Sequence, residues 1–333
     1  MTVRPALAIL ALAAAPAQLV AAPPASIART PPDAIPAPAQ IDSADYTGGA
    51  LPEGRSAITV RLQVLLDRAG VSPGVIDGYA GEMSRTAIAA FELREGLPVD
   101  GAMDGAVWSR LNGAAAGAVT ASHIISQEDV ADVGGALPDD YTALADRQRI
   151  GYERASEALA ERFHMDEAFL EGLNPGARFV PGERITVVDP GGRRAGAAVR
   201  VVVDKQRRRA TAYGSDGLVL ADYPVTIGSS QTPSPSGIVE VTAIAIEPNY
   251  SYKPDENFTQ GDNDEFLLLP PGPNGPVGSV WIDLSKPTYG LHGTSDPDSL
   301  FEAASHGCVR FTNWDAQELA HMVKPGTVVE FAR

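Results

Sequence analysis

The stretch Ser305-His306-Gly307-Cys308-Val309-Arg310 holds the only cysteine of the 333-residue sequence. His306 stands two residues before this thiol, and a second histidine, His292, lies further upstream. The thiolate is the reactive form of cysteine, and a nearby imidazole can take or balance its proton. A single free cysteine is also a common buried core residue. The Cys–His pattern by itself therefore leaves a catalytic nucleophile and a structural thiol as alternatives.

Residues on both sides of this stretch favour the nucleophile. Leu291-His292-Gly293-Thr294 precedes it and Asn313 follows it. Further matching segments are residues 203–204, 224–228, 232–237, 248–250 and 270–278. In these motifs and their spacing the chain resembles the L,D-transpeptidases, the YkuD-type catalytic domain, from about residue 199 to residue 331. The resemblance implies a cysteine acyltransferase.

The resemblance and the residue chemistry give roles to five candidate catalytic residues. Cys308 is predicted to attack the substrate, with His292 as general base and later general acid. The Gly293 carbonyl is a natural acceptor for the other ring nitrogen of His292, which would fix the tautomer. Backbone N–H groups at Gly307 and Cys308 are candidates for an oxyanion hole. His306 is predicted to orient the loop or line the pocket, and a purely structural His306 is the alternative.

A second set of residues is predicted to bind substrate: Arg310, Ser305, Tyr250 and Asn313. The planar guanidinium of Arg310 matches the geometry of a substrate carboxylate. A buried ion pair with an Asp or Glu of this acidic chain is the alternative for Arg310. Tyr250 is expected to line the cleft from a loop between strands. Asn313 is also expected to cap the helix that follows it.

The family resemblance implies the reaction. The thiol attacks the carbonyl of the third residue of a tetrapeptide stem, typically a diaminopimelate, and releases the terminal D-alanine. The thioester then passes to an amine of a second stem, which gives a 3→3 peptidoglycan cross-link. Carbapenem-type β-lactams are expected to acylate the same thiol. No metal or other cofactor is expected, since the sequence offers no clustered Cys/His ligand set.

Three alternatives to this reaction remain open. Water as acceptor would make the protein an L,D-carboxypeptidase, and a protein lysine would make it a lipoprotein-attaching enzyme. A non-catalytic wall-binding protein would carry its function in residues 56–190. The presence of both Cys308 and His292 weighs against the last alternative.

The length and net charge of the chain limit the class of protein to which it can belong. A chain of 333 residues predicts two or three domains. With 26 basic and 42 acidic residues, the net charge is −16. Nucleic acid and anionic lipid both need a basic footprint, so neither is the expected partner. The expected partner is peptidoglycan, through its stem peptides and its glycan.

The N-terminal residues predict export. Residues 1–22 combine a positive start at Arg4, a short apolar run and small residues, which is the layout of a secretory signal peptide. A retained membrane anchor is the alternative, and no later stretch is expected to span a membrane. Residues 23–55 are rich in Pro and Ala and predict a disordered spacer. The expected location is the periplasm or cell envelope.

Residues 56–113 predict a small three-helix module. Leu62, Leu65 and Leu66 repeat at helical spacing, and two Asp-Gly turns begin at Asp77 and Asp100. Ser84 is a candidate N-cap between those turns. This pattern resembles the peptidoglycan-binding domain 1 family, and the alternative is a helical domain that binds nothing.

A second, less regular unit is predicted over residues 137–190, after a linker at 114–136. The helical pattern from residue 159, the turn at residues 180–182 and the strand at 184–188 resemble the back half of a LysM domain. The opening strand of that fold is not evident, so the unit is predicted as a degenerate α+β LysM-like unit. Glycan binding and a packing spacer are both open. Residues 191–198 read as a hinge.

The C-terminal part, residues 198–333, is predicted as a mainly-β sandwich or barrel. β-branched and alternating segments dominate it, and only residues 314–322 read as a helix. The fold class is therefore multidomain, with two units that resemble wall-binding modules on flexible tethers. Tethering raises the local substrate concentration. A chain beginning near residue 192 is thus expected to keep the reaction on small soluble peptides and to bind peptidoglycan more weakly.

Overall fold

The computed structural model describes residues 34–255, 260–301, 305 and 307–332. The predicted signal segment 1–22, the first part of the predicted spacer and the candidate residue His306 lie outside the described residues. Among the described helices, none is both long enough and apolar enough to cross a bilayer.

The helices and strands follow in chain order. The α-helices are α1 (Pro38–Asp42), α2 (Ala57–Arg68), α3 (Glu82–Glu95), α4 (Gly105–Arg110), α5 (Tyr141–Ala145), α6 (Ala155–Arg162), α7 (Glu167–Leu173) and α8 (Asn313–Met322). The strands are β1 (Thr120–Ile124), β2 (Arg184–Val188), β3 (Arg200–Asp204), β4 (Arg209–Tyr213), β5 (Val219–Pro224), β6 (Gly237–Ile246), β7 (Tyr250–Tyr252), β8 (Leu267–Leu269), β9 (Val280–Leu284), β10 (Gly290–His292), β11 (Val309–Arg310) and β12 (Val328–Ala332).

The C-terminal domain is built on one eight-stranded mixed sheet, in the order β11-β10-β9-β6-β12-β3-β4-β5. β10 runs parallel to β11 and β12 runs parallel to β3, while the other neighbours are antiparallel. Val280, Ile282 and Leu284 of β9 are buried and alternate with less buried residues, as expected for a strand with one face in a core. Helix α8 adds Leu319 to the same core. The mainly-β prediction for this domain is confirmed.

Helices α2, α3 and α4 form the helical module predicted from the sequence. The Ser56 hydroxyl accepts from the Thr59 N–H and begins α2, and Gly96 ends α3 in the left-handed conformation at φ 68°. Phe91 and Trp108 are buried in its core. Ser84 lies inside α3, whose N-cap is Gly81, so the predicted cap at Ser84 is wrong.

A βααβ unit, made of β1, α6, α7 and β2, follows the helical module. β1 pairs antiparallel with β2, and Thr120 lies opposite Val188. The opening strand therefore lies within residues 114–136, where the sequence predicts a linker, and that prediction is wrong for this part. β1 is largely exposed, so its residues carry no apolar alternation that would mark a strand.

The part of the predicted spacer that is described, residues 34–55, is ordered against these two units. Ile41 of α1 is fully buried. The Asp42 carboxylate accepts hydrogen bonds from the backbone N–H groups of Val119 and Thr120, at 2.8 and 2.9 Å. The prediction of disorder is wrong for these residues, because single apolar and acidic side chains anchor a segment whose composition is otherwise that of a linker.

The helical module docks directly on the catalytic sheet. Val71 forms a parallel bridge with Asp222 of β5, and the Ser72 hydroxyl donates to the Asp315 carboxylate at 2.9 Å. The buried Arg209 donates to the Ser72 carbonyl at 2.9 Å. These contacts join residues that are far apart in sequence and hold the module against the domain.

The predicted hinge at residues 191–198 is also held in place. The Arg194 N–H donates to the Glu318 carboxylate at 2.6 Å, and its guanidinium donates to the Arg68 carbonyl at 2.8 Å. This segment therefore connects α2 with α8. The prediction of a flexible hinge is wrong for the described structure.

Residues 137–150, which include α5, pack against the hairpin β7–β8 of the catalytic domain. Leu144 and Ile150 form a small core with Tyr252 and Leu269. The Ile150 N–H also donates to the Pro271 carbonyl at 3.0 Å. We call residues 137–150 together with β7–β8 the cleft wall, because this segment lies beside the candidate active site.

Candidate active site

The parallel pair β10–β11 brings Cys308 and His292 together. Leu291 lies opposite Val309 and His292 lies opposite Arg310. Cys308 comes directly before β11, so the same register puts it opposite Gly290. Since side chains alternate along a strand, positions 290 and 292 share a face, and the thiol lies on the face that carries the imidazole.

The Cys308 thiol is partly exposed and lies against the backbone before β10. Its Sγ donates to the Thr288 carbonyl at 3.7 Å. Burial raises the pKa of Cys308, while the Gly290 N–H and the charge of Arg310 act in the opposite direction. The net direction is upward, so the free enzyme carries a protonated thiol at neutral pH.

The imidazole of His292 is buried, with only 5% of its surface exposed. It stacks on Trp281 of β9, with ring centroids 5.6 Å apart and planes inclined by 22°. Nδ1 lies 2.7 Å from the Gly293 carbonyl, the acceptor predicted from the sequence. Because a carbonyl can only accept, Nδ1 carries the proton and Nε2 keeps a lone pair. Burial, aided by Arg310, lowers the pKa of His292 to about 4.

Together these pKa shifts leave both the thiol and the imidazole uncharged at neutral pH. We expect the free enzyme to contain no thiolate–imidazolium pair at neutral pH. The measurement is the ultraviolet absorbance of the thiolate across a pH titration, taken as the difference between wild type and Cys308→Ala. The difference should stay flat through neutral pH and rise only in the alkaline range. A rise in the mildly acidic range would show that the ion pair forms.

The turn before Cys308 is held by Ser305. This residue is buried, its hydroxyl donates to the Cys308 carbonyl, and the Gly307 N–H donates to that hydroxyl at 3.1 Å. Gly307 has φ 118°, and a Cβ there would lie 2.9 Å from the Tyr289 ring. The turn therefore requires glycine and uses Ser305 as an internal brace.

Two predictions about this turn are corrected by these contacts. Ser305 does not reach substrate, because its hydroxyl is occupied within the turn. The Gly307 N–H is likewise occupied, so it does not contribute to an oxyanion hole. The Cys308 N–H stays a predicted donor.

Arg310 projects from β11 beside the reacting pair. Its backbone exchanges hydrogen bonds with Thr226, both at 3.0 Å. Within the described ranges, no carboxylate lies at ion-pair distance from its guanidinium. The positive charge of Arg310 acts to lower the pKa of both His292 and Cys308. These observations favour a guanidinium that faces a substrate carboxylate.

Asn313 does not lie in the cleft, although the sequence predicts it to bind substrate. Its side chain is 1% exposed. Oδ1 accepts from the Ser279 N–H at 3.1 Å, and Nδ2 donates to the Glu161 carboxylate. The helix cap predicted for Asn313 is made instead by Thr312, whose hydroxyl accepts from the Asp315 N–H. Asn313 is therefore a buried connector.

Tyr250 lies in the cleft wall, and a second tyrosine stands beside it. The rings of Tyr141 and Tyr250 meet edge to face with centroids 6.5 Å apart. Burial raises the pKa of Tyr250, and negative charge on Tyr141 or on the Cys308 thiolate acts in the same direction. Burial also raises the pKa of Tyr141, and the charge of Arg310 opposes this. Both tyrosines are thus within electrostatic reach of the site.

Sequence reasoning missed Tyr141 and Glu161 as residues of the site. Both belong to the part of the chain before the catalytic domain, so no local motif connects them with Cys308. The Asp140 carboxylate that caps α5 marks the start of a helix there, but nothing in its spacing predicts contact with the catalytic cleft. Among the described residues, no group of three or more His, Cys, Asp or Glu side chains could hold a metal ion.

Known proteins match this chain in two regions. A family model described as the L,D-transpeptidase catalytic domain, YkuD, matches residues 198–331, and a peptidoglycan binding domain model matches residues 55–111. The chain is 32% identical over 179 residues to the L,D-transpeptidase YkuD of Bacillus licheniformis. The aligned region covers 52% of this chain and 90% of that protein. The chain belongs to the L,D-transpeptidase family. This L,D-transpeptidase thus joins a cysteine acyltransferase domain to a peptidoglycan-binding module.

A further curated relative and two solved structures are also similar to parts of this chain. The L,D-transpeptidase YqjB of Bacillus subtilis is 31% identical over 134 residues, which is 39% of this chain and 68% of that protein. Among solved structures, an L,D-transpeptidase from Mycobacterium smegmatis matches 46% of this chain and 64% of its own, at 21% identity and TM-score 0.34. One from Xylanimonas cellulosilytica matches 85% and 95%, at 16% identity and TM-score 0.36. The βααβ unit of this L,D-transpeptidase lies outside both ranges matched by the family models.

Proposed function

We propose that this L,D-transpeptidase uses Cys308 and His292 to form a 3→3 cross-link between two peptidoglycan stems. The observation that carries the proposal is a protonated thiol on the same face as a buried, neutral imidazole whose Nε2 is an acceptor. A neutral imidazole can take the thiol proton at the moment of attack. The pair is therefore suited to nucleophilic catalysis without a standing thiolate.

The donor half-reaction runs as follows. Sγ of Cys308 attacks the carbonyl of the third stem residue while Nε2 of His292 takes the thiol proton. The Cys308 N–H is a candidate donor to the oxygen that becomes negative. Collapse of the tetrahedral adduct breaks the peptide bond, and the imidazolium gives its proton to the departing D-alanine amine. The product is a thioester on Cys308.

The acceptor half-reaction reverses these roles. An amine of a second stem attacks the thioester, and His292 takes a proton from it. The thiolate leaves and recovers that proton, so the enzyme returns to its starting state. Arg310 supplies a planar pair of donors for a stem carboxylate, which would orient one of the two substrates.

The test is the effect of His292→Ala on product formation. We expect turnover to fall by about 100-fold or more, because general base catalysis of this kind contributes about 10²–10⁴-fold. Muropeptides are analysed by mass spectrometry after incubation with purified enzyme. His321→Ala is the matched control, since His321 is an exposed histidine on α8. Wild-type turnover in His292→Ala would assign the base elsewhere.

The same mass spectra separate the possible acceptors. Cross-linked dimers are expected for an amine of a second stem. Shortened stems alone would indicate water as the acceptor, and stems attached to a protein lysine would indicate a lipoprotein-attaching enzyme. The proposal of 3→3 transfer fails if dimers are missing while either of the other products accumulates.

We further propose that the enzyme works in the periplasm or cell envelope, where its substrate lies. The signal-like residues 1–22 and the peptidoglycan binding domain match support this location. The strand–helix–helix–strand order of the βααβ unit supports a LysM-like contact with glycan. Solved L,D-transpeptidases include one in complex with a faropenem-derived adduct and one in complex with imipenem, which supports β-lactams of this type as covalent inhibitors here.

A further inference from the structure

A carboxylate from outside the catalytic domain reaches the amide that packs behind the catalytic histidine. Glu161 lies on α6 of the βααβ unit and is 8% exposed. Its Oε1 and Oε2 lie 3.2 and 3.0 Å from Nδ2 of Asn313, at the start of α8. The Tyr152 hydroxyl donates to Oε2 at 3.1 Å and steadies the carboxylate. Buried hydrogen bonds of this kind are costly to break.

The Asn313 amide is wedged against the loop that carries the catalytic histidine. A Cβ on Gly293 would lie 2.2 Å from Asn313 Oδ1, and one on Gly278 would lie 2.1 Å from it. Oδ1 also accepts from the Ser279 N–H. The amide therefore packs directly against the backbone at Gly293, and the position of the one depends on the position of the other.

The position of the Gly293 backbone affects the orientation of the His292 imidazole. The Gly293 carbonyl accepts the Nδ1 proton of His292 at 2.7 Å, which sets both the tautomer and the ring orientation. The His292 carbonyl is held in turn by the Phe311 N–H at 2.8 Å. A change in the Asn313 amide would consequently change where Nε2 lies relative to the thiol.

The carboxyl group of Glu161 supports the orientation of the Asn313 amide together with the Pro273 carbonyl, which also accepts from Nδ2, at 3.1 Å. Carboxyl oxygens accept hydrogen bonds, so they select the Nδ2 end and leave Oδ1 for Ser279. Without Glu161, Nδ2 keeps only the Pro273 carbonyl as an acceptor, so the amide is held less firmly against Gly293. In the flipped orientation Nδ2 would face the Ser279 N–H, donor against donor.

We propose that Glu161 is a positioning residue for His292, acting through Asn313 and Gly293. The βααβ unit would then complete the catalytic machinery of the neighbouring domain, in addition to any contact with the cell wall. The inference rests on the proposed role of His292 as the general base.

The first test compares three variants of the full chain. Glu161→Ala removes one of the two groups that accept from Asn313 Nδ2, and we expect kcat to fall by about 10–100-fold, as for a small misplacement of a catalytic group, while KM changes little. Glu161→Gln keeps an acceptor oxygen and should retain kcat within about threefold of wild type. Burial raises the pKa of Glu161 to about 8, so the neutral Gln is a close mimic.

The matched control is Glu157→Ala on the same helix. Glu157 also bridges to the catalytic domain, through Asn274 Nδ2 at 2.6 Å, but it does not contact Asn313. Its kcat should equal that of wild type. If Glu161→Ala does not fold, Glu161→Leu fills the same volume without accepting a hydrogen bond and should show the same loss of kcat.

The second test does not require transpeptidation. The rate at which iodoacetamide alkylates Cys308 is followed against pH. With His292 in place, the rate should form a plateau around neutral pH, because the neutral imidazole assists the thiol. In Glu161→Ala the plateau should drop, and the rate should rise about tenfold per pH unit as free thiolate accumulates. Glu161→Gln should restore the plateau.

The outcomes separate the positioning role from a structural one. A Glu161→Ala protein with a lowered unfolding temperature but with wild-type kcat and a wild-type alkylation plateau would overturn the proposal. A lost plateau restored by Glu161→Gln supports it, even if wild type forms no cross-links. In that case the proposed reaction would fail while the positioning of His292 would stand.

Discussion

Replacement of Cys308 by alanine should abolish both cross-linking and covalent capture of a carbapenem, while the protein remains folded. The thiol is the only candidate nucleophile that the sequence offers in the motif, and no other group can form the thioester. Loss of a nucleophile typically costs about 10⁴-fold or more in turnover. The packing cost should be modest because the side chain is small and partly exposed.

Intact-mass measurement after incubation with a carbapenem checks this prediction. Wild type should gain one adduct, and Cys308→Ala should gain none. Cys308→Ser is the matched control for shape, since its hydroxyl replaces the thiol with a group of similar size that is a weaker nucleophile. An adduct on Cys308→Ala, or cross-linking by that variant, would remove Cys308 from the mechanism.

A chain that begins at residue 192 should lose activity even on small soluble stem peptides. We expect a loss of about 100-fold or more, since the truncation removes Glu161 and the Tyr141 part of the cleft wall and disturbs the geometry of the site. It also exposes Tyr252 and Leu269, which pack against Leu144 and Ile150 in the full chain. This expectation replaces the one drawn from the sequence, in which residues 56–190 were only tethered.

Turnover of a soluble tetrapeptide stem and the unfolding temperature measure the effect of the truncation. A chain beginning at residue 34 is the control and should match the full protein on soluble peptide, because it keeps every contact described above. Binding to peptidoglycan sacculi should also weaken when residues 34–191 are removed. Full activity of the chain that begins at residue 192 would show that the units before it are spacers.

The reacting pair could be predicted from the sequence because its signals are local. Cys308, His292 and Gly293 lie within short motifs whose spacing is kept by two neighbouring strands. The direction of a side chain within a tight turn is not written in such a motif. For that reason the motif predicts substrate contacts for Ser305 and Asn313, although their hydrogen bonds point into the protein.

The docking of the N-terminal units could not be predicted in the same way. Hydrophobic periodicity reports a strand or a helix, but the contacts that join these units are single residues without periodicity. Arg194, Ile41 and Asp42 are examples, and each lies in a segment whose composition is that of a linker. Composition predicts whether a segment can form its own core, and it does not report whether a neighbouring core will accept it.

The chain leaves the βααβ unit and returns to it, and this path bears on how the loop lengths of the protein can change. Residues 125–154 leave the unit after β1, contribute α5 to the cleft wall, and return to it at α6. The Ile125 N–H donates to the Glu183 carbonyl, and the Gly182 N–H donates to the Ile125 carbonyl, just before β2 begins. The segment that leaves the unit therefore starts from a fixed point. Because the free-energy cost of loop closure rises only slowly with length, the number of residues between Ile125 and Leu144 can change at little cost while Leu144 and Ile150 keep their contacts with the catalytic domain. The loop that leads into the cleft wall can thus vary in length without a change in the strands that carry Cys308 and His292.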